Sequence, residues 1–186
     1  DRAAERVVRK ALQQYKGPLE INYVGDISKE DLFEKVARLP ENSAVFYTAF
    51  SRDATGASFV SKDFVSAVSE KANSPVFGVL DSYIGQGIVG GSLLSADEEG
   101  RRCADIAVRI LKGEPPVDIY PVRVINHSMF DWRQMQRWGI SEDRLPPGSI
   151  VQFNPPSPWQ LYHDYIIAAI LLLLFGYGTV SVLLVQ

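Results

Sequence analysis

The last 22 residues, 165–186, contain no Asp, Glu, Lys or Arg, although the chain as a whole carries 19 basic and 22 acidic residues. Seventeen of those 22 are apolar when the two tyrosines are counted. As an α-helix the run would extend about 33 Å, against about 30 Å for the hydrocarbon core of a bilayer. A core helix of a globular domain is usually shorter and keeps one polar face, whereas this run is apolar all round. The sequence therefore predicts a membrane span over 165–185. Trp159, Tyr162 and Tyr165 stand where an interfacial aromatic belt forms, and His163 and Asp164 mark the last water-facing turn. Gly176 and Gly178 lack the GxxxG spacing, so they give little support for helix pairing. With Asp1 at one end and the span running to Gln186, the chain is expected to be a piece of a longer protein.

Before the tail, the pattern is that of a globular domain. Apolar residues make up 46% of the 186 and charged residues 22%, which excludes a disordered or collagen-like chain. The net charge is −3 and no Lys/Arg stripe is present, which argues against a nucleic-acid partner. The single cysteine, Cys103, excludes an internal disulfide and a cysteine-cluster metal site.

Helix and strand patterns alternate. Residues 2–14 place Ala3, Val7, Val8, Ala11 and Leu12 on one helical face. Residues 19–24 read as a short strand ended by Gly25. Ser28 reads as an N-cap, with Asp31 in the first turn of the helix it opens. Strands are predicted over 44–50 and 75–80, nearly continuous apolar runs of the kind covered by helices on both faces. Helices are predicted over 62–72 and, after a Ser95/Glu98 capping box, over 96–112. Cys103 falls on the Ile106, Ala107, Ile110 face of that last helix and reads as a small core residue. Beyond Pro115-Pro116 the pattern yields a strand over 122–126, a short helix capped by Asp131 and ended by Gly139, a strand over 149–153, and a stiff Pro-rich linker over 154–158. Short connections between strands and helices imply an α/β fold with a doubly wound parallel sheet and right-handed crossovers. The first helix has no strand before it, so an N-terminal strand is expected to be missing.

Gly85-Gln86-Gly87-Ile88-Val89-Gly90 matches the dinucleotide pattern G-x-G-x-x-G, but its last glycine does not open a helix and the strand before it lies late in the unit. A glycine-rich loop is the simpler reading. His127 and His163 are the only histidines and stand in no metal-ligand spacing, and no nucleophile–base arrangement appears. No catalytic residue, metal site or cofactor is therefore assigned. Trp132 and Trp138, with Met129, Phe130 and Met135, read as a packed cluster. In parallel α/β sheets ligands bind at the carboxyl ends of the strands. The loops there are 25–26, 50–53 and 81–83, and the ligand-binding residues predicted from them are Phe50, Arg52, Asp53, Asp81 and Tyr83. One cation, two carboxylates and two aromatic rings suit a small polar or zwitterionic solute stacked on a ring.

PVFGVLDSYIGQGIVGGSLLSADEEGRRCADIAVRILKGEPP (75–116) resembles the C-terminal lobe of ABC transporter substrate-binding proteins, the type I periplasmic-binding fold. LPENSAVFYTAFSRDATG (39–56) is similar to the strand and loop that precede it. DWRQMQRWGISEDRLPPGSIVQFNPPSPWQLYHDYI (131–166), running into the apolar tail, resembles the sensor region of membrane-bound bacterial sensor histidine kinases. The resemblance implies a truncated periplasmic-binding-like lobe over 1–116, a membrane-proximal extension over 117–157, and an anchor with a transmembrane helix over 158–186. It implies the extracytoplasmic solute-sensing domain of a two-component receptor. That receptor would be single-pass in the bacterial inner membrane and homodimeric at full length, and its kinase would lie beyond Gln186. The alternative in the same family is a membrane-anchored substrate-binding component of an ABC transporter.

Overall fold

The computed structural model describes residues 2–13, 15–116, 126–156 and 158–185, with side chains given to Leu173 in the final helix. The predicted strand over 122–126 lies outside the described residues except for Asn126. The chain divides into two compact units, Asp1–Phe153 and Asn154–Gln186.

In the first unit the order begins with α1 (Arg2–Leu12), α2 (Lys29–Val36), β1 (Val45–Tyr47), α3 (Ser61–Lys71) and β2 (Val76–Gly78). It continues with a 3-10 turn Asp81–Tyr83, β3 (Gly90–Leu94), α4 (Ala96–Leu111), β4 (Asn126–Asp131), α5 (Trp132–Arg137) and β5 (Ile150–Gln152). Local chemistry accounts for two helix starts. Ser28 Oγ accepts the Asp31 N–H, and an Asp131 side-chain oxygen accepts the Arg133 N–H. Each cap satisfies one of the amide donors that a helix leaves unpaired at its first turn.

Among the described residues five strands form one sheet in the order β1-β2-β3-β4-β5. β1, β2 and β3 run parallel, β4 runs antiparallel to β3, and β5 runs parallel to β4. This corrects the expectation of a parallel doubly wound sheet: the sheet is mixed. The extra element is β3, which falls on Gly90-Gly91 and which the sequence reads as loop. A Cβ on Gly90 would stand 2.2 Å from the Met129 carbonyl oxygen, and one on Gly91 would stand 2.8 Å from that of Gly78. Glycine is required there because the neighbouring strands approach too closely for any side chain. Residues 19–24 belong to no strand, and among the described residues β1 pairs with β2 alone and is an edge. An edge strand pairs on one side only, and β1 is shorter than its apolar run.

The main core lies between the sheet and α2–α3. Val65, Val68, Val76, Ile88 and Leu93 are buried, and Phe33, Phe64, Phe50 and Phe59 form a ring stack with centroids 4.5–6.0 Å apart. Each such side chain contributes roughly 1.5–3 kcal/mol through the apolar area it removes from water. A second cluster, Val89, Phe130 and Met135 with Trp138 packed against it, bears out most of the predicted aromatic–methionine cluster. Helix α4 contributes no buried side chain, and Cys103 is exposed rather than core. Nor does Ser95 cap it with its side chain. Glu98, expected to complete a capping box, instead pairs its Oε2 with His127 Nε2 of β4 at 2.9 Å.

The second unit holds α6 (Pro158–Val185). Among the described residues no helix is long and apolar enough to cross a membrane, which corrects the predicted transmembrane helix.

Candidate functional site at the carboxyl edge of the sheet

Because β1 and β2 are parallel, the loops after them leave the sheet at the same edge. Two sets of hydrogen bonds gather those loops. The first is a buried hydroxyl cluster. Ser61, the first residue of α3, accepts the Phe50 N–H on its Oγ at 3.2 Å. Its Oγ also lies 2.9 Å from the Tyr47 hydroxyl and 3.0 Å from that of Tyr83. Tyr47 reaches the Ser61 carbonyl as well, at 3.0 Å, and Tyr83 donates to the Thr48 carbonyl at 3.3 Å. The end of β1, the start of α3 and the turn after β2 are thereby joined. Burial raises the Tyr47 hydroxyl to a pKa of about 12, because the phenolate would lose its hydration there.

The second set centres on Asp53. Its Oδ1 accepts the Thr55 hydroxyl at 2.6 Å, the Thr55 N–H at 2.9 Å and the Ala57 N–H at 3.0 Å. Its Oδ2 accepts the Lys29 N–H at 3.4 Å, and the Ala54 N–H donates to the Ile27 carbonyl at 3.1 Å. These bonds, the Thr55 hydroxyl first, hold the Asp53 carboxyl below its ordinary pKa. These bonds link 27–29 to 53–54, and 47–50 to 61 and 83.

The individual residues are placed differently from one another. Phe50 is buried in the ring stack and Tyr83 is 2% exposed, with its ring edge-on to Tyr47 at 5.5 Å. Neither presents a ring face to the solvent side of the loops. Asp53 commits its acceptors to its own loop and to the Lys29 amide. Arg52 is exposed, with its backbone bridged to Ser58. Asp81 is half-buried in the 3-10 turn, and its carboxylate makes no hydrogen bond or ion pair among the described residues. Of the five, Arg52 and Asp81 keep charged ends able to meet a ligand.

Sequence reasoning passed over one neighbour of this edge. A Cβ at Gly85 would come 3.2 Å from the Phe153 ring and 3.8 Å from Nη2 of Arg133. The loop after the 3-10 turn therefore lies against Arg133, whose guanidinium stacks 3.9 Å over the Phe153 ring. The available signal was local: Asp131-x-Arg133 is a cap followed by a cation two residues on. The glycines of the G-x-G-x-x-G stretch have structural duties. Gly85 and Gly87 take φ of +84° and +93°, and Gly90 lies in β3 instead of opening a helix.

A hollow of about 480 Å³ lies at the opposite edge, lined by Leu39, Pro40, Glu41, Asn42, Ser43, Asn73, Ser74, Pro75 and Trp138. Both amide atoms of Asn73 are committed to Leu39 there. It is at the amino ends of β1 and β2, away from the gathered loops.

No family model and no curated protein matches this chain. One solved structure is similar, a conserved domain protein from Vibrio cholerae. It aligns with a TM-score of 0.50 at 17% identity, over 80% of this chain. The likeness shows a general α/β fold. This chain spans about half the length of that protein, covering 49% of it.

Proposed function

We propose that this chain is a small-solute-sensing lobe of the type I periplasmic-binding kind, belonging to a bacterial two-component receptor whose kinase is a separate part. The observation that carries the reading is the convergence of loops 25–28, 50–59 and 81–87 at the carboxyl edge, where parallel α/β sheets bind ligands. The resemblance of 75–116 and 131–166 to such sensors supports it. The charged ends available at this edge are Arg52 and Asp81, which suit the carboxylate and ammonium of a zwitterion. With Phe50 and Tyr83 buried, recognition rests on charge and on the loop backbone rather than on ring stacking.

Isothermal titration of the full chain against the free standard amino acids tests this reading. A zwitterion that binds should lose about tenfold or more in affinity in Arg52→Ala and in Asp81→Ala, since a charge-assisted bond contributes about 1.5–3 kcal/mol and 1.4 kcal/mol is a decade. Absence of binding by every amino acid, or unchanged affinity in both variants, counts against the site.

A further inference from the structure

Two arginines of α5 border the glycine loop Gly85-Gln86-Gly87. A Cβ at Gly85 would come 3.8 Å from Nη2 of Arg133. A Cβ at Gly87 would come 2.6 Å from that of Ser69, whose carbonyl accepts from Nη1 of Arg137 at 3.4 Å. Arg133 and Arg137 stand four residues apart in α5, one above the other, where like charges repel. Arg133 is paired with Asp131. Arg137 is exposed and lies 4.8 Å over the Trp138 ring, and among the described residues it has no carboxylate partner.

The arginine beside Gly85 is held in one orientation against strain. Asp131, itself 0% exposed, binds it through Nε and Nη2. Phe153 lies beneath its plane, with the ring centre 3.9 Å from the guanidinium carbon and the backbone at φ +59°. A bulky residue at positive φ is strained, and strain of this kind collects where a group is positioned for binding. A guanidinium carries five N–H donors in one plane. Asp131 occupies the Nε side, so the edge formed by Nη1 and Nη2 keeps two parallel donors. The side chain is 50% exposed, and glycine at 85 sets no side chain beside it.

We propose that loop 85–87 with Arg133 and Arg137 forms a binding site for a small oxyanion, the phosphate or carboxylate group of a soluble ligand. Two parallel N–H donors match two oxygens of either group. A bound anion offsets the repulsion between the two arginines, and the Asp131–Arg133 pair sets the fork before the anion arrives. Glycine at 85 admits the oxyanion, because a side chain there would start against both Nη2 and the Phe153 ring. The inference rests on α5 and this loop and is independent of the Arg52 and Asp81 contacts proposed above.

NMR titration of the full chain with sodium phosphate tests it, followed at the Gly85 and Gly87 amides and at the Arg133 Nε–H. Sodium chloride at equal ionic strength is the reference. The expected result is a saturating shift with phosphate and none with chloride. Arg133→Lys keeps the charge without the fork, and Arg137→Gln removes an exposed charge. Each should weaken phosphate about tenfold or more, as for loss of a charge-assisted bond. Arg52→Ala should leave the affinity unchanged. Sodium acetate as a second probe distinguishes the source: tighter acetate assigns a carboxylate ligand, tighter phosphate a phosphorylated one. A response to both probes equal to that of chloride overturns the proposal. Unchanged affinity in Arg137→Gln overturns it as well, and that variant decides the matter if Arg133→Lys unfolds. A loss in Arg52→Ala places the oxyanion at the strand-end loops and overturns it too.

Discussion

Arg133 closes on Asp131 with two parallel bonds, Nε to Oδ1 at 3.0 Å and Nη2 to Oδ2 at 2.7 Å, across only two residues of sequence. The carboxylate is 0% exposed while the guanidinium side chain is 50% exposed. This asymmetry decides what each substitution does. Arg133→Ala strands a buried anion whose remaining described donor is the backbone N–H at 133, so a loss of about 3 kcal/mol is expected. Asp131→Asn leaves a cation that water can reach, and the amide oxygen can still cap α5. Its loss should be about 1–2 kcal/mol. Urea unfolding of the two variants measures both, and the reverse order would show that the buried carboxylate does not depend on Arg133.

Tyr47 sets a limit on alkaline stability. Its folded pKa of about 12 lies above the unfolded value near 10. The contribution is therefore full below pH 10 and is lost as the pH rises from there through 12. Denaturation midpoints between pH 9 and 12 should fall more steeply in the unsubstituted protein than in Tyr47→Phe. Equal slopes would mean that the phenol ionises freely in the fold.

Asp53 acts at the other end of the scale. Its folded pKa is depressed, so its stabilisation is present above the unfolded value of about 3.9 and is lost as the pH falls through the folded value. The gap in urea midpoint between the unsubstituted chain and Asp53→Asn should be widest near pH 6 and shrink toward pH 2. A gap that stays constant with pH would assign the effect to the side chain's shape alone.

Ser61 joins three partners, and removing its hydroxyl leaves the Phe50 N–H without the acceptor it has here. Tyr47 and Tyr83 retain carbonyl acceptors at Ser61 and Thr48. Ser61→Ala should cost about 1–3 kcal/mol, the price of one unsatisfied buried donor. Amide exchange should quicken at Phe50, and an unchanged exchange rate there would remove Ser61 from the clasp.

Two glycines should respond in opposite senses to alanine. Gly90, at φ +143°, has the Met129 carbonyl in the place of a Cβ, and Gly90→Ala should prevent β3 from pairing with β4. Gly100 lies within α4 with open space around it, and Gly100→Ala should stabilise by about 0.5–1 kcal/mol. Thermal melting distinguishes them, and a neutral Gly90→Ala would place β3 differently.

What the sequence determined alone is what is decided within a few residues. Ser28 and Asp131 were legible as caps because a cap needs only an acceptor and an amide two or three positions on. The helices and the apolar cores of β1 and β2 were legible from periodicity. The tertiary structure alone decided the rest. Gly90-Gly91 has no local strand preference and is a strand because the Met129 and Gly78 carbonyls approach it. Glu98 has a cap position in sequence, yet it pairs with His127, 29 residues away. Phe50 and Tyr83 stand at strand ends, where a ring is equally able to face a ligand or the core, and they turn inward because Phe64 and Ser61 wait there to receive them. Residues 19–24 have every local property of a strand, but a strand is completed only by the edge of another, and that edge is not encoded within the segment.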